Sequence, residues 1–151
     1  MRRIRMAALL WLGTMGPATA DTLAIFPPKF LDTSHEVRDQ NVDHQRRLDL
    51  LAETLNQELT PSVMVNSQQI ATTCSPETTR CLLSLARGAQ ADRSLFVVVQ
   101  KTSTLIITIF STLVDSGTGR LIASPSLNFR GDNDESWHRA ANFLARDLQG
   151  L

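Results

Sequence analysis

Leu95-Phe96-Val97-Val98-Val99-Gln100 and Leu105-Ile106-Ile107-Thr108-Ile109-Phe110-Ser111-Thr112-Leu113-Val114 are two apolar, β-branched runs joined by a short polar link. Runs of this kind mark strands covered on both faces. Downstream, Asp115-Ser116-Gly117-Thr118-Gly119 has the composition of a hairpin turn. Arg120 to Phe129 is then the returning strand, in which Pro125 implies an edge position or a bulge. The connection is too short for a crossover, so this pair of strands must be antiparallel.

Working outward, Asp132-Asn133-Asp134-Glu135-Ser136 opens a last helix, with Asp132 and Glu135 spaced as a capping box. Trp137, Ala140, Ala141, Leu144 and Leu148 form its apolar stripe, with Trp137 as a core anchor. Upstream, Leu48, Leu51, Ala52, Leu55 and Leu59 recur at helical steps, with Arg46, Arg47, Glu53 and Gln57 off the stripe and Pro61 ending the helix. Thr22 to Phe26 and Ser62 to Asn66 read as short strands, and Ser67 to Thr73 as a short helix or turn. Pro76-Glu77 opens a further helix carrying Cys81, Leu82, Leu85, Ala86 and Ala89 on one face. Residues 27–41 have no apolar period and read as a long loop over one edge of the domain. The expectation is an α/β (α+β-like) single three-layer domain. It has a mixed sheet of about five strands, a C-terminal β-hairpin and about three helices.

The chain begins with a basic segment, Met1 to Arg5, then the apolar run Met6 to Leu12, then Ala18-Thr19-Ala20. That is the tripartite pattern of a cleavable secretory signal, predicting cleavage after Ala20 and a domain over 21–151. A retained N-terminal anchor is the alternative, but the apolar run is shorter than the roughly 20 residues that span a bilayer. Arg2-Arg3 alone lacks the rest of a twin-arginine motif, so the general secretory route and a periplasmic location are expected. Without residues 1–20 the chain holds 12 basic and 15 acidic residues, about −3. Such a balance excludes the basic footprint of a nucleic-acid binder and of an anionic-lipid binder.

Cys74 and Cys81 are the two cysteines, and an even count in an exported chain favours a disulfide. A metal pair would need two further ligands, and His35, His44 and His138 lie in unrelated segments. Free thiols are the remaining alternative.

Val99-Gln100-Lys101-Thr102-Ser103-Thr104-Leu105-Ile106, Val114-Asp115 with Thr118-Gly119-Arg120, and Phe129 to Trp137 resemble a family of small exported bacterial proteins. It is a domain-of-unknown-function family, number 3280, also circulated as 2380. Thr104 stands where the family pattern has Asn, and His138 where it has Arg. The resemblance is carried by residues 95–148 and, in the N-terminal half, by layout. The layout is also similar to the TolB N-terminal and curli-assembly-type envelope domains. That likeness implies a binding or assembly role in the envelope rather than chemistry.

Each candidate site also has a plain structural role. Gln100, Lys101 and Ser103 offer an amine and a hydroxyl to a partner or anion, or simply cap strand ends at a polar turn. Arg130, Asp132, Asp134 and Glu135 form either a cation or partner site, or an acidic helix start that suits the helix dipole. Their spacing is not that of a calcium loop. Asp32, His35, Glu36 and Asp39 suggest acid–base or metal chemistry, but no second histidine or nucleophile is placed beside them. No Walker, dinucleotide, zincin or nucleophile-elbow motif occurs. No cofactor, metal or nucleic acid is expected. The residues point to a non-catalytic accessory or protein-interaction module with an envelope partner. A small-molecule or cofactor binder is one alternative, and a hydrolase another.

Overall fold

The computed structural model describes residues 21–151, and the secretory signal expected over 1–20 lies outside them. In chain order the elements begin with β1 (Leu23–Ile25), β2 (Lys29–Asp32), α1 (Asn41–Glu58), β3 (Ser62–Met64) and α2 (Ser67–Thr73). They continue with α3 (Thr79–Gly88), β4 (Arg93–Lys101), β5 (Ile106–Asp115), β6 (Leu121–Ala123), β7 (Ser126–Arg130) and α4 (Asp134–Gln149). The seven strands form one mixed sheet in the order β3-β1-β4-β5-β6, with β2 also on β4 and β7 also on β5. β1 runs parallel to both β3 and β4, and β2 parallel to β4, whereas the β4–β5, β5–β6 and β5–β7 pairs are antiparallel.

The α/β class is as expected, with seven strands and four helices in place of about five and three. The seven strands occupy only five columns, because two columns are each split in two. Pro125 divides the returning strand into β6 and β7. Its carbonyl still accepts from the Ser111 amide at 3.0 Å, so the edge column bends without leaving the sheet. Pro27-Pro28 divides the other split column. Ile25 pairs with Leu95 and Lys29 with Val98, so four steps on this side face three on β4. The extra residue is absorbed where two prolines have no N–H to lose from the ladder. β2 thus lies inside the segment expected to be loop.

α1 and α4 cover one face of the sheet. Leu51, Leu55, Leu95, Val99, Ile107, Ile109, Trp137 and Leu144 form its buried centre. Side chains of alternate residues on β4 and β5 supply the sheet's share, as the two-residue repeat requires. α2 and α3 cover part of the other face over a smaller cluster of Ala24, Phe26, Val65, Leu82 and Ala86. Beyond their reach, Val98, Ile106 and Phe110 stay exposed on that face.

The helix starts correct two expectations. α3 begins at Thr79 rather than at Pro76-Glu77, because the Thr78 hydroxyl accepts from the Cys81 amide and sets the cap there. α4 is capped by Asn133, whose side chain accepts from the Ser136 amide, so Asp132 is released for another role. Cys74 and Cys81 form a disulfide with Cα atoms 5.7 Å apart, tying the end of α2 to the first turn of α3.

Candidate functional site: a buried charge cluster and an open sheet edge

Asp132 is the centre of a cluster built from four parts of the chain. The preceding Gly131 has φ +99°, a conformation that favours glycine. A Cβ there would lie 2.6 Å from Ser136 Oγ, so any side chain at this turn would force the start of α4 to shift. That turn aims Asp132 inward. Its Oδ1 accepts from Arg47 Nη1 at 2.8 Å and from Trp137 Nε1 at 3.0 Å. Its Oδ2 accepts from Lys101 Nζ at 2.8 Å and lies 2.8 Å from His44 Nε2. Lys101, fully buried at the end of β4, also donates to Glu36 Oε2 at 2.7 Å. Outside this layer, Arg47 Nε donates to Asp134 Oδ1 at 3.1 Å, and Arg46 pairs with Asp134 as well.

Burial opposes ionisation of Asp132, but hydrogen bonds from His44, Lys101 and Trp137 outweigh it and hold the carboxyl at about 2. Burial likewise opposes the charge on Lys101. The hydrogen bonds to Asp132 and Glu36 win, and the ammonium is held above its ordinary value. Asp134 is lowered by Arg46 and Arg47. Three cations (Lys101, Arg46 and Arg47) thus meet three carboxylates (Glu36, Asp132 and Asp134).

An ionised carboxylate offers about four lone-pair positions, and on Asp132 all four are occupied. No position is left on it for a metal or a substrate. Among the described residues, no group of three or more His, Cys, Asp or Glu side chains is placed to hold a metal ion. The cluster therefore joins the end of β4, the turn into α4, α1 and the 33–40 segment through charge.

The residues singled out from sequence are distributed around it. Lys101, Asp132 and Asp134 come together. Gln100 lies on the opposite face of β4 and donates to Thr33 Oγ1 at 3.3 Å. Ser103 Oγ accepts from the Ile106 amide at 3.2 Å within the β4–β5 turn. Arg130 ends β7 exposed, and Glu135 pairs with Arg139 on the outer side of α4. Glu36 joins the cluster, while His35 and Asp39 do not. His44 and Arg47 also belong to the cluster, and Arg47 is buried although the apolar stripe of α1 puts it off the core face. The signal was present: His44 continues the 48–51–55 stripe one turn towards the N-terminus, with Arg47 beside it.

A second feature lies at the Pro27-Pro28 break. β3 pairs only with β1, so β2 keeps one edge without a strand. A cavity of about 420 Å³ opens on the α2 side of this break, lined by Phe26, Ile70, Ala71, Leu82, Phe96 and Val98. Lys29 and Glu77 also line it and pair with each other. A smaller cleft of about 260 Å³ lies on the α1 side, lined by Asp49, Ala52, Met64 and Val65. Both clefts include Phe26, Pro27, Pro28 and Ser67.

The fold is similar to that of a PelC dodecamer from Paraburkholderia phytofirmans (19% identity, TM-score 0.51), over 89% of this chain and 91% of that one. It is also similar to protein XCC0632 from Xanthomonas campestris, of family DUF330 (12% identity, TM-score 0.51), over 90% and 85% of the two chains. The LpoB C-terminal domain from Salmonella enterica matches at 14% identity and a TM-score of 0.48, over 74% and 83%. No curated protein sequence matches the chain. The family resemblance seen in residues 95–148 extends through the whole domain: a family model matches residues 21–148, and the chain belongs to DUF3280, described as "Protein of unknown function (DUF2380)".

Proposed function

We propose that the chain is a non-catalytic accessory or protein-interaction module of the bacterial envelope, working in the periplasm after loss of residues 1–20. The observation that carries this reading is the saturated Asp132 carboxylate. The most perturbed acid in the described domain has four donors on its two oxygens, all from the chain itself. Perturbed groups gather at active sites, but structural ion-pair networks perturb them too, and a filled coordination shell belongs to the second class. What remains open is surface, including the edge of β2 and the exposed face around Val98 and Phe110. The PelC structure with this fold is a dodecamer, which supports a role exercised through surfaces. No helix among the described residues is long and apolar enough to cross a membrane.

A second reading, a small-molecule binder, is favoured by the 420 Å³ cavity, which is apolar with one ion pair on its lining. Native mass spectrometry of the protein isolated from its own periplasm separates the two. The accessory reading expects a chain beginning at Asp21, with its disulfide, in complex with another chain. A small adduct of fixed mass would favour the second reading. A bare monomer would overturn both.

A further inference from the structure

We infer that the free edge of β2 is a strand-addition site for an extended peptide segment of a partner protein, with successive side chains entering the two clefts on opposite faces of the sheet. The inference rests on the protein-interaction reading above and specifies its surface.

The backbone defines the edge. The Thr33 amide donates to the Lys101 carbonyl at 2.8 Å, so residue 33 faces β4. By the alternation of a parallel ladder, Leu31 and Lys29 face β4 as well, and Phe30 and Asp32 turn their N–H and C=O groups to the other side. Among the described residues no strand lies on that side. Proteins usually blunt such an edge or cover it. Here the neighbouring column stops early: β3 ends at Met64 and the chain leaves into α2.

The clefts define the occupant. Consecutive side chains of a strand point to opposite faces, and one cleft opens on each face at the Pro27-Pro28 break where the β2 edge begins. The α2-side cleft is lined by Phe26, Phe96, Ile70 and Leu82 and takes an apolar side chain. The α1-side cleft is smaller and carries the Asp49 carboxylate, suiting a polar or cationic side chain. A compact small molecule would fill one cleft and leave the edge unpaired. An extended peptide uses the edge and both clefts, with affinity from the main chain and selectivity from alternate pockets.

The test pans a phage library of random dodecapeptides against the disulfide-intact 21–151 chain. Synthetic copies of the enriched sequence are then measured by calorimetry and by amide chemical shifts. Enriched sequences should alternate apolar and polar or cationic residues, and should shift the amides of Phe30 and Asp32. Methylating the peptide amides that face β2 should weaken binding by about tenfold or more, and methylating the alternate amides should not. Ala71→Trp, which fills the α2-side cleft from an exposed helix position, should abolish binding with an unchanged circular dichroism spectrum. Indifference to which amides are methylated, or shifts at the β7 edge instead, would overturn strand addition. Concentration-dependent self-association lost in A71W would overturn it in favour of a second copy as the occupant. A native complex that A71W retains, and that the peptide does not displace, would overturn it while leaving the accessory reading standing.

Discussion

Lys101 Nζ and Asp132 Oδ2 stand 2.8 Å apart with their side chains 1% and 7% exposed, joining the end of the longest parallel-facing strand to the turn that starts the last helix. Charges this deep are costly alone and tolerable only together. Asp132→Asn leaves Lys101 with Glu36 as its only carboxylate, and should cost about 3–5 kcal/mol in urea denaturation. Lys101→Met in the same chain should recover part of that loss. Strict additivity of the two substitutions would show that the pair is not coupled.

Asp132 also fixes an acid limb to the stability curve. Its folded value of about 2 lies below the ordinary 3.8, so its contribution is complete above about pH 4 and is lost as pH falls through 2. The shift corresponds to about 2 kcal/mol. Denaturation midpoints at pH 6 and pH 2.5 should differ by more in the wild type than in D132N. Equal differences would mean that another acid governs the limb. Lys101, held above its ordinary 10.5, acts in the opposite sense: its contribution is whole below that value and fades as pH rises past the folded one.

The Gly131 turn admits a direct check. Gly131→Ala meets both a φ of +99° and a Cβ 2.6 Å from Ser136 Oγ. The expected loss is about 1–3 kcal/mol, typical of a residue held in a sparsely populated backbone region. The double variant Gly131→Ala with Ser136→Ala, which removes only the clashing Oγ, should recover the steric share and keep the conformational one.

The disulfide ties only α2 to α3, seven residues apart in sequence. Replacing both cysteines by serine should cost about 2 kcal/mol on loop-closure grounds. Hydrogen exchange should quicken in α2 and α3 and stay unchanged in α1 and α4. Uniform quickening would show that the two layers melt as one.

Local signals carried most of the architecture. The β4–β5 runs, the Asp115–Gly119 turn and the stripes of α1 and α4 are periodicities that read directly. β2 escaped because Lys-Phe-Leu-Asp behind two prolines has no strand pattern of its own, and exists by pairing with β4 about 70 residues away. The cluster escaped for the same reason. Arg47 reads as a solvent-facing cation until Asp132, 85 residues later, is placed against it. Asp132 reads as a helix cap until Asn133 is seen to do that work. Long-range partners decided these residues, and spacing along the chain does not report them.

Trp137, Ala140, Ala141, Leu144, Ala145 and Leu148 all come from α4 and supply a third of the main core's buried residues. The core therefore cannot close until the last turns of the chain arrive. In any process that delivers this protein N-terminus first, everything before residue 134 waits with its apolar face uncovered. The order in which the chain emerges thus sets the earliest moment at which this core can close.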